Sequence, residues 1–139
     1  MIVDANVLLY AVDADAPFHH AAVDWLTNAF RGPTRVGLPW PSLLAFQRIA
    51  TNARATDHPL TPQAAWSHIT DWLAADQAWV PQPGPRHGAV LGRLITAGDL
   101  RGNLVSDAHL AALAIEHGVG VCSFDSDFAR FDGLTWVHP

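Results

Sequence analysis

The sequence predicts an α/β fold in which a parallel sheet is covered by helices on both faces. Two observations carry this. Short apolar runs such as MIV and VGVC alternate with longer stretches whose apolar residues recur at helical spacing. Half of the 139 residues are hydrophobic and 15% are charged, the balance of a single globular domain over 1–139 with a proper core.

Residues 1–4 read as a buried strand, and ANVLLYAV as a short helix that Asp4 can cap. ADAPFHHAAVDWLTNAF carries a second helix, with Ala22, Trp25, Leu26 and Ala29 on one face, and RGPT breaks it. VGLP reads as a short strand and PSLLAFQRIATNAR as a third helix. TDHPLTP is a loop in which Thr61 caps, and Pro62 opens, the helix of QAAWSHITDWLAAD. QAWVPQ is a strand ended by prolines. GPRHGAVLGRLITAG and NLVSDAHLAALAIEHG give two more helices, the latter stopping at Gly118. VGVCSF is the next strand and LTWVHP a last short one. No repeat, linker or low-complexity segment interrupts this order.

Composition excludes several chemistries. All eight basic residues are Arg, so P-loop nucleotide hydrolysis and Schiff-base catalysis, both of which need a lysine, are ruled out. Receiver domains and haloacid-dehalogenase-type phosphatases are disfavoured on the same ground. Twelve of the thirteen acids are Asp, leaving Glu116 as the only Glu. A net charge of −5 makes a poor generic nucleic-acid binder, so contact with RNA would need local Arg and a metal bridging a phosphate. No apolar run approaches the roughly 20 residues of a membrane span and no leader-like segment is seen, so a cytoplasmic, membrane-free protein is expected. The single cysteine, Cys122, sits in an apolar run as a small core residue, which fits a reducing compartment.

The carboxylates are the informative residues. Asp4 ends the first strand, Asp125 and Asp127 follow VGVCSF, and Asp107 lies in a helix whose face-mates Leu104, Leu110, Ala111 and Ala114 are apolar. In parallel sheets the ligand crevice lies beyond the carboxyl ends of the strands, where Asp4 and Asp125 fall. Unpaired charges there cost several kcal/mol, and a divalent cation removes that cost. The pattern points to Mg²⁺ or Mn²⁺ on oxygen ligands. Each residue also has a plainer reading: Asp4 as an N-cap, Asp107 as a dipole partner, Asp125 and Asp127 as Asx-turn acids, Ser123 as a satisfied strand-end hydroxyl. Against its plainer reading, Ser123 can donate to a substrate phosphate or to a ligand carboxylate, and Asn6 can orient Asp4 by a hydrogen bond or face solvent.

The eight histidines do not make a zinc motif, for there is no HExxH or CxxC and His109 and His117 are eight apart. His109 falls about 200° around the helix from Asp107. The six tryptophans suit a core or a partner interface better than base stacking. Arg86 and Arg93, seven apart on one helix face, would line an RNA path, as would Arg48 and Arg101; solvated arginine is the competing reading.

The opening DANVLLYAVDADAPFH and the close GNLVSDAHLAALAIEHGVGVCSFDSDFARFDGLTWVHP, with their spacing, resemble the PIN-domain family, and within it the VapC toxins of bacterial toxin–antitoxin pairs. The resemblance covers essentially the whole chain. It implies a three-layer α/β/α sandwich and metal-dependent cleavage of RNA, commonly structured RNA such as tRNA. Matched residue by residue, it makes Asp4, Asp107 and Asp125 catalytic metal ligands with Asp127 accessory, and puts Ser123 where the family often has Thr or Ser. It also implies a homodimer that pairs with a VapB-like antitoxin, through which alone operator DNA is bound.

One departure stands out. The family's second acid, usually a Glu in the helix after the second strand, is missing from SLLAFQRIATNAR; Ala45, Phe46 and Gln47 occupy the region. Gln47 is a neutral substitute and Asp99 another donor that could approach; otherwise the site runs with three acids, with weaker Mg²⁺ affinity and a preference for Mn²⁺. The missing acid also motivates a second reading, a catalytically weak or inactive PIN fold that serves as a protein-binding partner. A third is a housekeeping RNA-processing nuclease, against which the compact length favours the toxin.

Overall fold

The computed structural model describes residues 1–139 and contains five parallel strands. They are β1 (Ile2–Val3), β2 (Val36–Gly37), β3 (Ala78–Trp79), β4 (Val121–Cys122) and β5 (Trp136–Val137), in the order β3-β2-β1-β4-β5. Helices α1 (Ala5–Val12), α2 (His19–Arg31), α3 (Trp40–Ala50) and α4 (Pro62–Leu73) precede β3, and α5 (His87–Gly98) and α6 (Leu104–His117) separate β3 from β4. A single 3-10 turn, Ser126–Arg130, lies between β4 and β5. The strands are shorter than the apolar runs predict, but the ladder continues past them: Asp4 N donates to the Cys122 carbonyl at 3.0 Å and Leu38 N to that of Trp79 at 2.8 Å.

Successive strand residues point to opposite faces, and the core divides accordingly. Val3 and Cys122 join Val36, Leu38, Leu43 and Phe46 under α1–α4, while Ile2 and Val121 join Leu94, Leu113 and Phe128 under α5 and α6. This is the three-layer α/β/α sandwich. Sequence-level boundaries hold where cap chemistry is explicit. Thr61 Oγ1 accepts from Ala64 N at 3.1 Å and starts α4, and Gly118 stops α6 with φ +65°. They fail where no cap residue marks the end: α3 stops at Ala50 rather than near Arg54, and α5 begins at His87, after the two prolines that flank Gly84.

The strand order fixes where a site can form. From β1 the chain steps to β2 and β3 on one side, then crosses to β4 and β5 on the other, so the order reverses between β1 and β4. That reversal opens a crevice at the carboxyl ends of those two strands. Register pairs Val3 with Cys122, which brings the next residues, Asp4 and Ser123, side by side. No helix is long and apolar enough to cross a membrane.

Candidate active site

Ser123 organises the crevice. Its hydroxyl donates to Asp4 Oδ2 at 2.7 Å and accepts from Asn6 Nδ2 at 3.0 Å and from Asp125 N at 3.0 Å. One donor and two lone pairs are thus all used. Asn6 Oδ1 in turn accepts from Phe124 N at 3.2 Å, tying α1 to the loop after β4. Asp4 is both the N-cap of α1, accepting from Ala5 N at 2.7 Å, and a wall of the crevice. Its plainer reading and its functional one are therefore compatible.

Three carboxylates converge beside it. Asp107 from the first turn of α6, and Asp125 and Asp127 from the 3-10 turn and its cap, each offer an oxygen, and these atoms lie within 4.8 Å of one another. Asp127 N donates to Asp125 Oδ1 at 2.8 Å, which sets the turn. Burial, and then the charges of Asp4, Asp125 and Asp127, push the Asp107 carboxyl up to about 6, with Arg130 offsetting part of the rise. Burial also raises Asp4, against the hydrogen bonds from Ser123 and Ala5. An all-oxygen cluster of mutually repelling carboxylates, held in place by the backbone, fits a hard divalent cation. The only positive group on it is Arg130, whose Nη2 lies 2.7 Å from Asp127 Oδ1.

The remaining sequence-level candidates fall elsewhere. Asp99 ends α5 in the left-handed region at φ 47° and is paired with Arg101 at 2.9 Å, outside the carboxylate cluster. Gln47 does not line the cleft that holds Asp4 and Asp107; its Nε2 donates to the Pro62 carbonyl at 3.0 Å and ties α3 to the start of α4. Arg86 and Arg93 meet different neighbours. Arg86 is the N-cap of α5 and its side chain reaches the Glu116 carbonyl at 3.4 Å, whereas Arg93 lines a separate groove of about 490 Å³ with Arg130. The only glutamate is structural: the Glu116 carboxylate accepts from Gly84 N and Arg86 N at 2.9 and 3.0 Å, which holds its pKa below the usual range. Nine residues from Asp107, it lies half a turn around α6 from the site. His109 likewise faces away, with Nδ1 3.0 Å from His87 Nε2. Burial pushes the Cys122 thiol up to about 12, as expected of a core residue.

A cleft of about 560 Å³ opens in front of Asp4 and Asp107. Its opposite wall is α3, including Ala45, Ser42 and Arg48. Of the positions at which the missing acid was expected, Ala45 is the one on this wall; Phe46 is in the core and Gln47 is engaged with α4. Sequence reasoning overlooked Ser42, because a serine near the start of an apolar helix carries no mark of function.

The profile of the PIN domain matches residues 1–134. The chain belongs to the PIN-domain family. Among relatives of this PIN protein, Ribonuclease VapC37 of Mycobacterium tuberculosis is 48% identical over 138 residues, covering 99% of this chain and 96% of the relative. Ribonuclease VapC43 of the same species is 40% identical over 139 residues, covering 100% and 95%. In three dimensions the PIN fold here is similar to a chain of VapBC2 from Rickettsia felis bound to a promoter DNA fragment, with a TM-score of 0.69 at 14% identity, over 99% of this chain and 96% of that one. It is also similar to a chain of FitAB bound to IR36 DNA, with a TM-score of 0.69 at 15% identity, over 99% and 93%.

Proposed function

We propose that the protein is a VapC-type toxin, an endoribonuclease that hydrolyses RNA phosphodiester bonds with a divalent cation and is restrained by a VapB-like antitoxin. The observation that carries this reading is the convergence of Asp107, Asp125 and Asp127 within 4.8 Å, beside Asp4, at the point where the strand order reverses. The ribonuclease names of relatives up to 48% identical over nearly the full chain supply the reaction class. Structured RNA such as tRNA is the proposed substrate, and a homodimer the proposed assembly. Operator DNA would be reached through the antitoxin, in keeping with the DNA-bound toxin–antitoxin complexes of similar fold.

In this mechanism Asp107, Asp125 and Asp127 would hold Mg²⁺ or Mn²⁺, with Asp4 as the fourth acid of the crevice. When bound, the cation would supply a Lewis acid for a phosphoryl oxygen and would acidify water. Ser123 and Ala5 fix the Asp4 carboxylate, and Asn6 fixes Ser123, so the acids need little reorganisation when substrate arrives. Water adds to phosphorus, the bond from phosphorus to the 3′ oxygen breaks, and that oxygen takes up a proton. The products carry a 5′-phosphate and a 3′-hydroxyl.

The test is digestion of total bacterial RNA by purified protein in EDTA, Mg²⁺ and Mn²⁺, beside Asp107→Asn. Discrete metal-dependent fragments with 5′-phosphates, absent from the variant, are expected. A 2′,3′-cyclic phosphate product would overturn the water-attack route. Uncut RNA from folded, antitoxin-free protein would overturn the ribonuclease reading in favour of a PIN fold that only binds partners.

A further inference from the structure

Ser42 is 2% exposed and its hydroxyl has no hydrogen-bond partner, yet it lines the cleft that holds Asp4 and Asp107. Four other hydroxyls on or ending helices are used internally: Thr51, Ser67, Thr70 and Thr96 each donate to the carbonyl four residues back. Ser42 makes no such bond. Near the start of α3, the residue four back is Leu38, which lies outside the helix at the end of β2. A buried polar group without a partner is costly unless something that is bound in function meets it.

The α3 residues on the cleft are Pro41, Ser42, Leu44, Ala45, Arg48 and Ile49, the spacing of one helix face. Arg48 is exposed on this face and makes no ion pair. The wall facing the carboxylates therefore carries no negative charge. It offers a hydroxyl donor and a guanidinium on either side of the Ala45 methyl, where the PIN pattern expects a metal-binding acid. Those are donors for an anion, and they suit the oxygens of a phosphodiester.

We infer that Ser42 and Arg48 form a phosphate-binding wall for the RNA substrate. The Ser42 Oγ–H donates to a non-bridging phosphate oxygen and the Arg48 guanidinium pairs with backbone phosphate. The loss of the second acid thus exchanges a metal ligand for a substrate contact. This rests on the ribonuclease reading above.

The experiment titrates a fluorescein-labelled RNA oligonucleotide with protein carrying Asp107→Asn, in Mg²⁺, so that cleavage is removed and anisotropy reads binding alone. Ser42→Ala, Arg48→Gln and Arg48→Lys are then added singly. Arg48→Gln is expected to weaken binding about tenfold and to reduce the slope of log affinity against log salt by about one, while Arg48→Lys keeps the slope. Ser42→Ala is expected to weaken binding roughly threefold with the slope unchanged and the melting temperature no lower, since the methyl leaves no buried donor unmet. RNA that binds the parent but is held equally by all three variants would overturn the wall alone. A parent that binds no RNA would overturn the ribonuclease reading and the wall with it.

Discussion

The Ser123 hydroxyl donates to Asp4 Oδ2 at 2.7 Å although 119 residues separate them in the chain. Parallel pairing of β1 with β4 places the two residues side by side, and the bond fixes Asp4, beside the cluster, to the strand that leads to Asp125 and Asp127. Ser123→Ala removes a partner from Asp4, from Asn6 and from the backbone N–H of Asp125 at a site of 0% exposure. The variant should lose about 1–3 kcal/mol in chemical denaturation. It should also lose at least tenfold in RNA cleavage, roughly the factor attached to disturbing groups that orient metal ligands. Unchanged stability and cleavage would show that Ser123 is dispensable.

Asp107 sets a pH dependence whose sign follows from its raised pKa. Its carboxyl moves from 3.8 to about 6 on folding, so the metal-free folded state binds more protons than the unfolded state between those values. Stability in EDTA should therefore fall as pH rises through about 6, and Asp107→Asn should remove part of that fall. Mn²⁺ competes with the proton, so the thermal shift it produces should grow over the same range and shrink in the variant. Melting curves in EDTA and Mn²⁺ across this range check both. A Mn²⁺ shift independent of pH would contradict the placement of the cation on Asp107.

Arg130 is the counter-charge that a cation must displace or tolerate, at 2.7 Å from Asp127 Oδ1. The pair is partly exposed, so its screening by solvent keeps the effect small. Arg130→Gln should tighten Mn²⁺ binding by about two- to threefold in calorimetry at low salt, and less at high salt. Weaker binding would mean that Arg130 positions Asp127 more than it competes for it.

Ala45 stands on the α3 wall where an acid is expected. Ala45→Glu should raise Mn²⁺ affinity by about tenfold or more, because a further carboxylate oxygen joins a hard-cation site. The same change should weaken RNA binding if α3 meets phosphate. An Ala45→Glu protein with unchanged metal affinity would show that this wall stands too far from the cluster to contribute.

Much of this was legible in the sequence. The alternation of apolar runs with amphipathic stretches determined the parallel α/β fold, because the two periodicities are incompatible with each other's secondary structure. The strand-end positions of Asp4 and Asp125, and the apolar neighbours of Asp107, marked the site. Other features belonged to the tertiary structure alone. Asp127 joins Asp107 and Asp125 in the carboxylate cluster because the 3-10 turn and its cap bring it there, and a one-turn element has no periodicity to read. Asp99 and Gln47 lie outside the cluster because a left-handed cap and a bond to Pro62 carry them elsewhere. Ser42 became visible only when its hydroxyl was found buried without a partner. Local pattern determines which elements form and which face each residue takes. Which side chains from distant segments meet, and which polar atoms are left unmet, depends on how the layers pack, and that is decided in three dimensions.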